Sequence, residues 1–154
     1  MKRIKYIFLI LLFIITLISA YPFLRVKDPD LKVLEKDLAR FKTDELRVGD
    51  FKDLKKNYFI NNYEVKEFLY FTPASNMQAS EILILKAEDG KGEQIEKNIM
   101  NRIERQSNSF KNYSKSQDEL LSKNFYKRRK DTIILVIHPE TEEIKKILNK
   151  AIWR

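Results

Sequence analysis

Two hydrophobic patterns divide this chain. From Tyr6 to Leu24 no charged residue occurs, and Ile7 to Ile18 is Ile, Leu and Phe apart from Thr16. A helix rising 1.5 Å per residue carries such a run across most of a ~30 Å hydrocarbon core. About a dozen of these residues, at roughly −0.5 kcal/mol each, favour insertion by about −6 kcal/mol. The run predicts an N-terminal transmembrane helix behind the short basic head Lys2, Arg3 and Lys5. Beyond it, apolar positions recur at helical or strand spacing, as in a globular domain.

Asp30 can cap a helix whose apolar positions are Leu31, Leu34, Leu38 and Phe41, read as the link from membrane to domain. Thr43 to Gly49 is polar and reads as a connection. Asp50 opens a short helix through Phe51 and Leu54. Val65 to Thr72 is aromatic-rich and reads as a strand, with Phe68 and Tyr70 on one face and Leu69 and Phe71 on the other. Ser80 to Ala87 reads as a second strand, its continuous apolar run suited to cover on more than one side.

Glu93 begins the longest helix, with Ile95, Ile99, Ile103 and Phe110 on one face and Met100 beside them. Ser116 to Glu119 fits a capping box opening a short helix. Phe125–Arg129 and Thr132–Ile137 read as strands joined near Lys130 and Asp131. After His138 and Pro139, Glu140, Glu142 and Glu143 suit the start of a last helix. The order β-β-α-α-β-β-α predicts a two-layer α+β domain: a mostly antiparallel four-stranded sheet covered by helices. Three segments follow: 1–25 as membrane anchor or signal, 26–49 as linker helix and connection, and 50–154 as the α+β domain.

The basic head and apolar run suit an uncleaved anchor or a signal peptide. Ala20 fits the last position before a cut, but Ile18 stands where a small residue is preferred. The run is also long for a signal, so retention is expected, with secretion after cleavage the alternative. Arg25, Lys27, Lys32 and Lys36 follow the span, so flanking charge alone does not set orientation. A basic head before an apolar run is the usual export arrangement. It places the N-terminus in the cytoplasm and the domain outside.

Composition narrows the chemistry. The absence of cysteine removes disulfides, thiolate metal sites, a thiol nucleophile and a lipid-attachment residue. Net charge is +8, and the head supplies only three of the 30 basic residues, so the remainder stays basic. Such a surplus suits anionic lipid head groups or envelope polyanions, or else an ordinary mixed-charge surface. With the domain outside, nucleic acid is not an expected partner.

The stretches Ala79–Leu85, Asn101–Gln106 and Ser109–Tyr113 resemble an uncharacterised family of small membrane-anchored or lipid-anchored proteins from Gram-positive anaerobes, whose domain is of unknown function. The resemblance covers roughly residues 30–152. Its pattern has an acid opening the second strand, Arg and Gln one turn apart on a helix, and a Phe-x-x-Tyr ending. These correspond to Glu81, Arg102, Gln106, Phe110 and Tyr113. The lipid-attachment cysteine of many relatives is lacking. The resemblance implies an extracytoplasmic location and supplies no activity.

Arg102 and Gln106 share a helix face, and Glu81 opens a strand that helix should cover. They form either an ion-paired cluster fixing helix against sheet, or a shallow pocket for an anionic ligand with Arg102 as fork and Tyr113 as lid. The densest basic run, Lys127, Arg128, Arg129 and Lys130, is a solvated turn or a contact for lipid phosphates or anionic wall polymer. His138, the single histidine, could pair with Glu142 on a metal, but two ligands at a helix start make a weak site, and local capping is the simpler role. Gly90-Lys91-Gly92 is too short for a phosphate loop, and no Gly-x-Ser-x-Gly elbow occurs. No catalytic residue, metal or cofactor is assigned. The expected role is a binding or scaffolding module at the cell envelope, touching an envelope protein or anionic polymer; an envelope-polymer hydrolase is the alternative.

Overall fold

A computed structural model describes the backbone of residues 2–24 and 29–152, with side chains for 6–19 and 29–152. Among the described residues are six α-helices and one five-stranded antiparallel sheet. Helix α1 spans Lys2–Leu24. Its described apolar side chains are exposed, Phe8 at 66% and Ile18 at 67%. Among the described residues no helix is long and apolar enough to cross a membrane. The expected span reaches past the described side chains. Those of Lys2, Arg3, Lys5, Ala20, Arg25 and Lys27, on which the orientation and cleavage readings turn, lie outside the described residues.

Asp30 caps helix α2, Leu31–Leu38, by accepting from Lys32 N and Val33 N. A 3-10 turn, Ala39–Phe41, leads to strand β1, Leu46–Val48. Helix α3, Phe51–Tyr58, opens on a reciprocal cap between Asp50 and Asp53. Strands β2, Val65–Pro73, and β3, Glu81–Ala87, form a hairpin. Helices α4, Gly92–Phe110, and α5, Lys115–Ser122, follow, then β4, Phe125–Arg129, β5, Thr132–Ile137, and α6, Thr141–Ile152. The sheet order is β1-β2-β3-β5-β4.

The alternation along the strands builds two cores. Tyr70, Leu83, Leu85, Ile133, Leu135 and Ile137 point to one face, where α3, α4 and α5 cover them. Leu69, Phe71, Ile82, Ile84, Ile134 and Val136 point to the other, against α2 and α6. The assignment of Tyr70 and Leu69 to opposite faces therefore holds. Ile82–Leu85 of β3 and Ile133–Ile137 of β5 are unbroken apolar runs because both faces of these strands are buried.

The α+β class and the element order after residue 60 match expectation, but two details are corrected. Helices lie on both faces, so the domain has three layers rather than two. The second layer needs α2, whose Leu34 and Leu38 are fully buried against the sheet. Residues 31–48 thus pack on the sheet and extend it. The sheet has five strands rather than four, because β1 pairs with β2 from Leu46 opposite Pro73 to Val48 opposite Phe71. This strand is three residues long and buries only Leu46, too little for an alternation to show. The cap of α5 is also shifted: Ser114 precedes the helix, and no side-chain capping bond forms there.

Candidate functional site

Glu81 stands at the first position of β3, on the face that α4 crosses, and its side chain is completely buried. Arg102, about three turns into α4, reaches it as a fork. Nε lies 3.0 and 3.2 Å from the two carboxylate oxygens, and Nη2 lies 3.0 Å from Oε2. Gln106, one turn on, joins both partners when its amide is oriented to suit them. Its nitrogen then donates to Glu81 Oε1 and its oxygen accepts from Arg102 Nη2, each at 3.2 Å.

The sheet completes the shell. Tyr70 donates its hydroxyl to Glu81 Oε2 at 2.8 Å and accepts from Thr72 at 3.1 Å and Asn57 at 2.9 Å. Tyr58, from α3, lies beneath the guanidinium, 5.1 Å from ring centroid to Cζ, and packs edge-on against Tyr70. The Tyr58 hydroxyl is buried within electrostatic reach of Glu81 but completes no hydrogen bond of good geometry.

Burial and then the Glu81 charge push both tyrosine hydroxyls above their ordinary value. Burial on its own would lower Arg102, but the Glu81 carboxylate beside it more than compensates and raises it. Arg102 is therefore charged at neutral pH. Such a pair adds little net stability over a well-packed apolar one, because desolvation cancels much of the attraction. What it does is fix α4 against β3.

Arg102 also borders a cleft of about 380 Å³. Arg47, Lys56 and Arg105 line it too, with Asp53 the carboxylate among the lining residues. Asp53 is engaged: Arg47 grips it bidentately at 2.7 and 2.5 Å. That grip, against some desolvation, lowers its carboxyl to about 2. Arg105 donates to the Asn57 carbonyl at 3.2 Å and stacks on Phe59, 4.8 Å from the ring. Phe59 holds a left-handed conformation with φ of 56°, uncommon for an aromatic residue, and ends α3 there.

Of the residues expected to cluster, Glu81, Arg102 and Gln106 come together. Tyr113 does not. It lies 64% exposed in the turn after α4, its hydroxyl 3.9 Å from Met77 Sδ, and is not among the cleft-lining residues. The basic run is not one patch. Lys127, Arg128 and Arg129 belong to the edge strand β4, whose pleat sends alternate side chains to opposite faces, and only Lys130 sits in the turn. Arg128 turns to α4 and pairs with Glu96 at 2.7 Å.

His138 is 7% exposed, accepts from Glu140 N at Nδ1 and packs edge-on against Phe41. This is the local capping role. It borders a second depression, of about 500 Å³, with Glu142, but no group of three metal ligands forms among the described residues.

Sequence reasoning missed Tyr58, Tyr70, Asn57 and Thr72 as members of the cluster, and Arg47, Lys56 and Arg105 as cleft residues. Arg105 carried one usable signal, its three-residue spacing from Arg102 on one helix. The rest lie on separate elements with no common spacing.

The fold and its buried centre define a three-layer α+β domain organised around a buried carboxylate–guanidinium pair beside a basic cleft. Residues 39–138 match a family model described as Domain of unknown function (DUF4358), and the chain belongs to that family. No curated protein and no solved structure matches the chain. The matched segment contains the whole buried cluster and the cleft.

Proposed function

We propose that this protein is a membrane-tethered, extracytoplasmic binding module whose basic cleft receives an anionic ligand. The observation that carries the reading is the charge of the cleft: four cationic side chains against the single carboxylate Asp53, which Arg47 already occupies. A concave surface with fixed cations concentrates anions. The buried Glu81–Arg102 pair gives that surface a rigid floor. A hydrolase working by general acid or base would need a carboxylate free to exchange a proton, whereas Asp53, the one in the cleft lining, is held by Arg47 and by the cap of α3. That favours binding over an unrecognised envelope-polymer hydrolase.

The tether rests on α1. Its 23 residues extend about 35 Å. The large apolar side chains from Tyr6 to Ile18 are all about half exposed or more, and a soluble surface rarely leaves so much apolar area uncovered. Lipid covers such a helix at no polar cost. The basic head before it favours a cytoplasmic N-terminus with the domain outside; secretion after cleavage would leave the cleft's role unchanged. An envelope protein or anionic polymer is then the partner class, and nucleic acid is not.

The test uses the full chain. Protease applied to intact cells should degrade the domain, and the protein should sediment with membranes. In mild detergent, small anions should raise the melting temperature and neutral sugars should not, with the shift lost in Lys56→Ala. Sedimentation with the soluble fraction refutes the tether, and equal shifts by neutral sugars refute the anion cleft.

A further inference from the structure

The cleft's charges are not equally available to a ligand. Arg47 is neutralised by Asp53, and Arg102 by the buried Glu81 behind it. Lys56 and Arg105 have no carboxylate partner among the described residues. Lys56 is exposed, and Arg105 spends one nitrogen on the Asn57 carbonyl. The uncompensated charge facing the cleft is therefore that of two cations. Arg102 adds a donor without adding net charge, because its Nε and Nη2 are committed to Glu81 and Gln106 and its Nη1 has no acceptor among the described residues.

Resting on the anion-binding reading above, we propose that the cleft selects a phosphate monoester, an organic anion whose charge matches this surplus. A monoester carries about −1.5 to −2 at neutral pH with three acceptor oxygens, one for each of Lys56 Nζ, Arg105 and Arg102 Nη1. A carboxylate or a phosphodiester carries a single charge and leaves one cation unmatched in a partly desolvated site. The 380 Å³ volume lies in the range of small-molecule sites and exceeds what a lone phosphate fills, so the ester carries a small polar organic group such as a polyol. The remaining wall suits that group: Asn76 carries a neutral amide, and Asn57 and Ser109 keep acceptor oxygens, their hydrogens being spent on Tyr70, Thr72 and the Arg105 carbonyl. Two sources share this chemistry, a soluble sugar or glycerol phosphate and the headgroup of an anionic lipid ending in a monoester.

The full chain in phosphatidylcholine nanodiscs is titrated calorimetrically with glycerol 3-phosphate, with bis(glycerol) phosphate as the diester and with glycerate as the carboxylate. The expected result is at least tenfold tighter binding of the monoester at pH 7.5. That preference should shrink several-fold at pH 5, where the ligand loses its second charge, its second pKa being about 6. Lys56→Ala and Arg105→Ala should each weaken the monoester tenfold or more, and Lys56→Arg should retain it. Adding phosphatidate to the discs separates the sources: competition with glycerol 3-phosphate assigns the lipid headgroup, and its absence assigns the soluble ester. If diester or carboxylate binds within twofold of the monoester and still depends on Lys56 and Arg105, the monoester assignment is wrong while the anion cleft stands. If no anion binds, or binding ignores both variants, both fall.

Discussion

Replacing Arg102 by Met removes the guanidinium but keeps most of the side-chain length over Tyr58. Glu81, with no exposed side-chain surface, is then left with only Tyr70 and Gln106 as partners. An uncompensated buried charge of this kind costs about 3–5 kcal/mol. The reverse change, Glu81→Gln, is isosteric and retains an acceptor for Tyr70. It strands Arg102, whose side chain is 11% exposed and borders the cleft, so water can solvate part of the freed charge. Its cost should be smaller, about 2 kcal/mol. Joining the two changes should cost less than their sum by about 1–3 kcal/mol, because neither group is left alone.

Urea unfolding of the full chain in non-ionic detergent, followed by far-ultraviolet circular dichroism, measures all three variants. Arg102→Met should lower the midpoint with an unchanged slope, equivalent to a melting shift on the order of 10 °C. A loss below about 1 kcal/mol for Arg102→Met, or a larger loss for Glu81→Gln, would show that Arg102 does not neutralise a buried Glu81 carboxylate.

Three further outcomes follow from particular contacts. Gly49→Ala places a methyl 2.7 Å from the buried ring of Tyr70, so chemical denaturation should show a loss of about 1–3 kcal/mol; an unchanged midpoint would mean that β1 can shift freely. Asp50→Ala removes the acceptor for Lys52 N and Asp53 N and should cost about 1 kcal/mol, read from the same unfolding curves, whereas Lys52→Ala should be near neutral. Burial pushes His138 below the usual imidazole value of 6.5, against the pull of Glu140, and its Nδ1 must stay unprotonated to accept from Glu140 N. Because the unfolded chain binds that proton more readily, this contribution is fully present above pH 6.5 and is lost as pH falls through the folded value. A plot of unfolding free energy between pH 7.5 and 5 should slope downward toward acid, and His138→Gln should flatten it.

Much of the architecture was legible because it is local. β5 was bounded correctly from Thr132 to Ile137 by its apolar run and the charged turn before it, and α2 and α3 by Asp30 and Asp50 at their caps. The pairing of Glu81 with Arg102 and Gln106 was also within reach, since i,i+4 spacing and a strand-opening acid imply one face meeting another. Tyr113 stands apart from the cluster because the helix ends at Phe110 and the following turn carries it to the surface. The basic run, read as a solvated turn or a polyanion contact, lies mostly on β4, whose pleat sends alternate side chains to opposite faces.

Periodicity, capping residues and charge-free length determine which segments are helix, strand or apolar run, because each depends on neighbours a few residues away. The order of elements, the face of β2 that carries Tyr70 and the apolar helix at the N-terminus follow from that alone. Only the tertiary structure decided that α2 and α6 form a third layer, that Leu46–Val48 adds a fifth strand and that Lys56 and Arg105 flank one cleft. Those facts depend on segments tens of residues apart arriving at one place. Which cations keep their charge free for a ligand depends in turn on which carboxylates arrive beside the others.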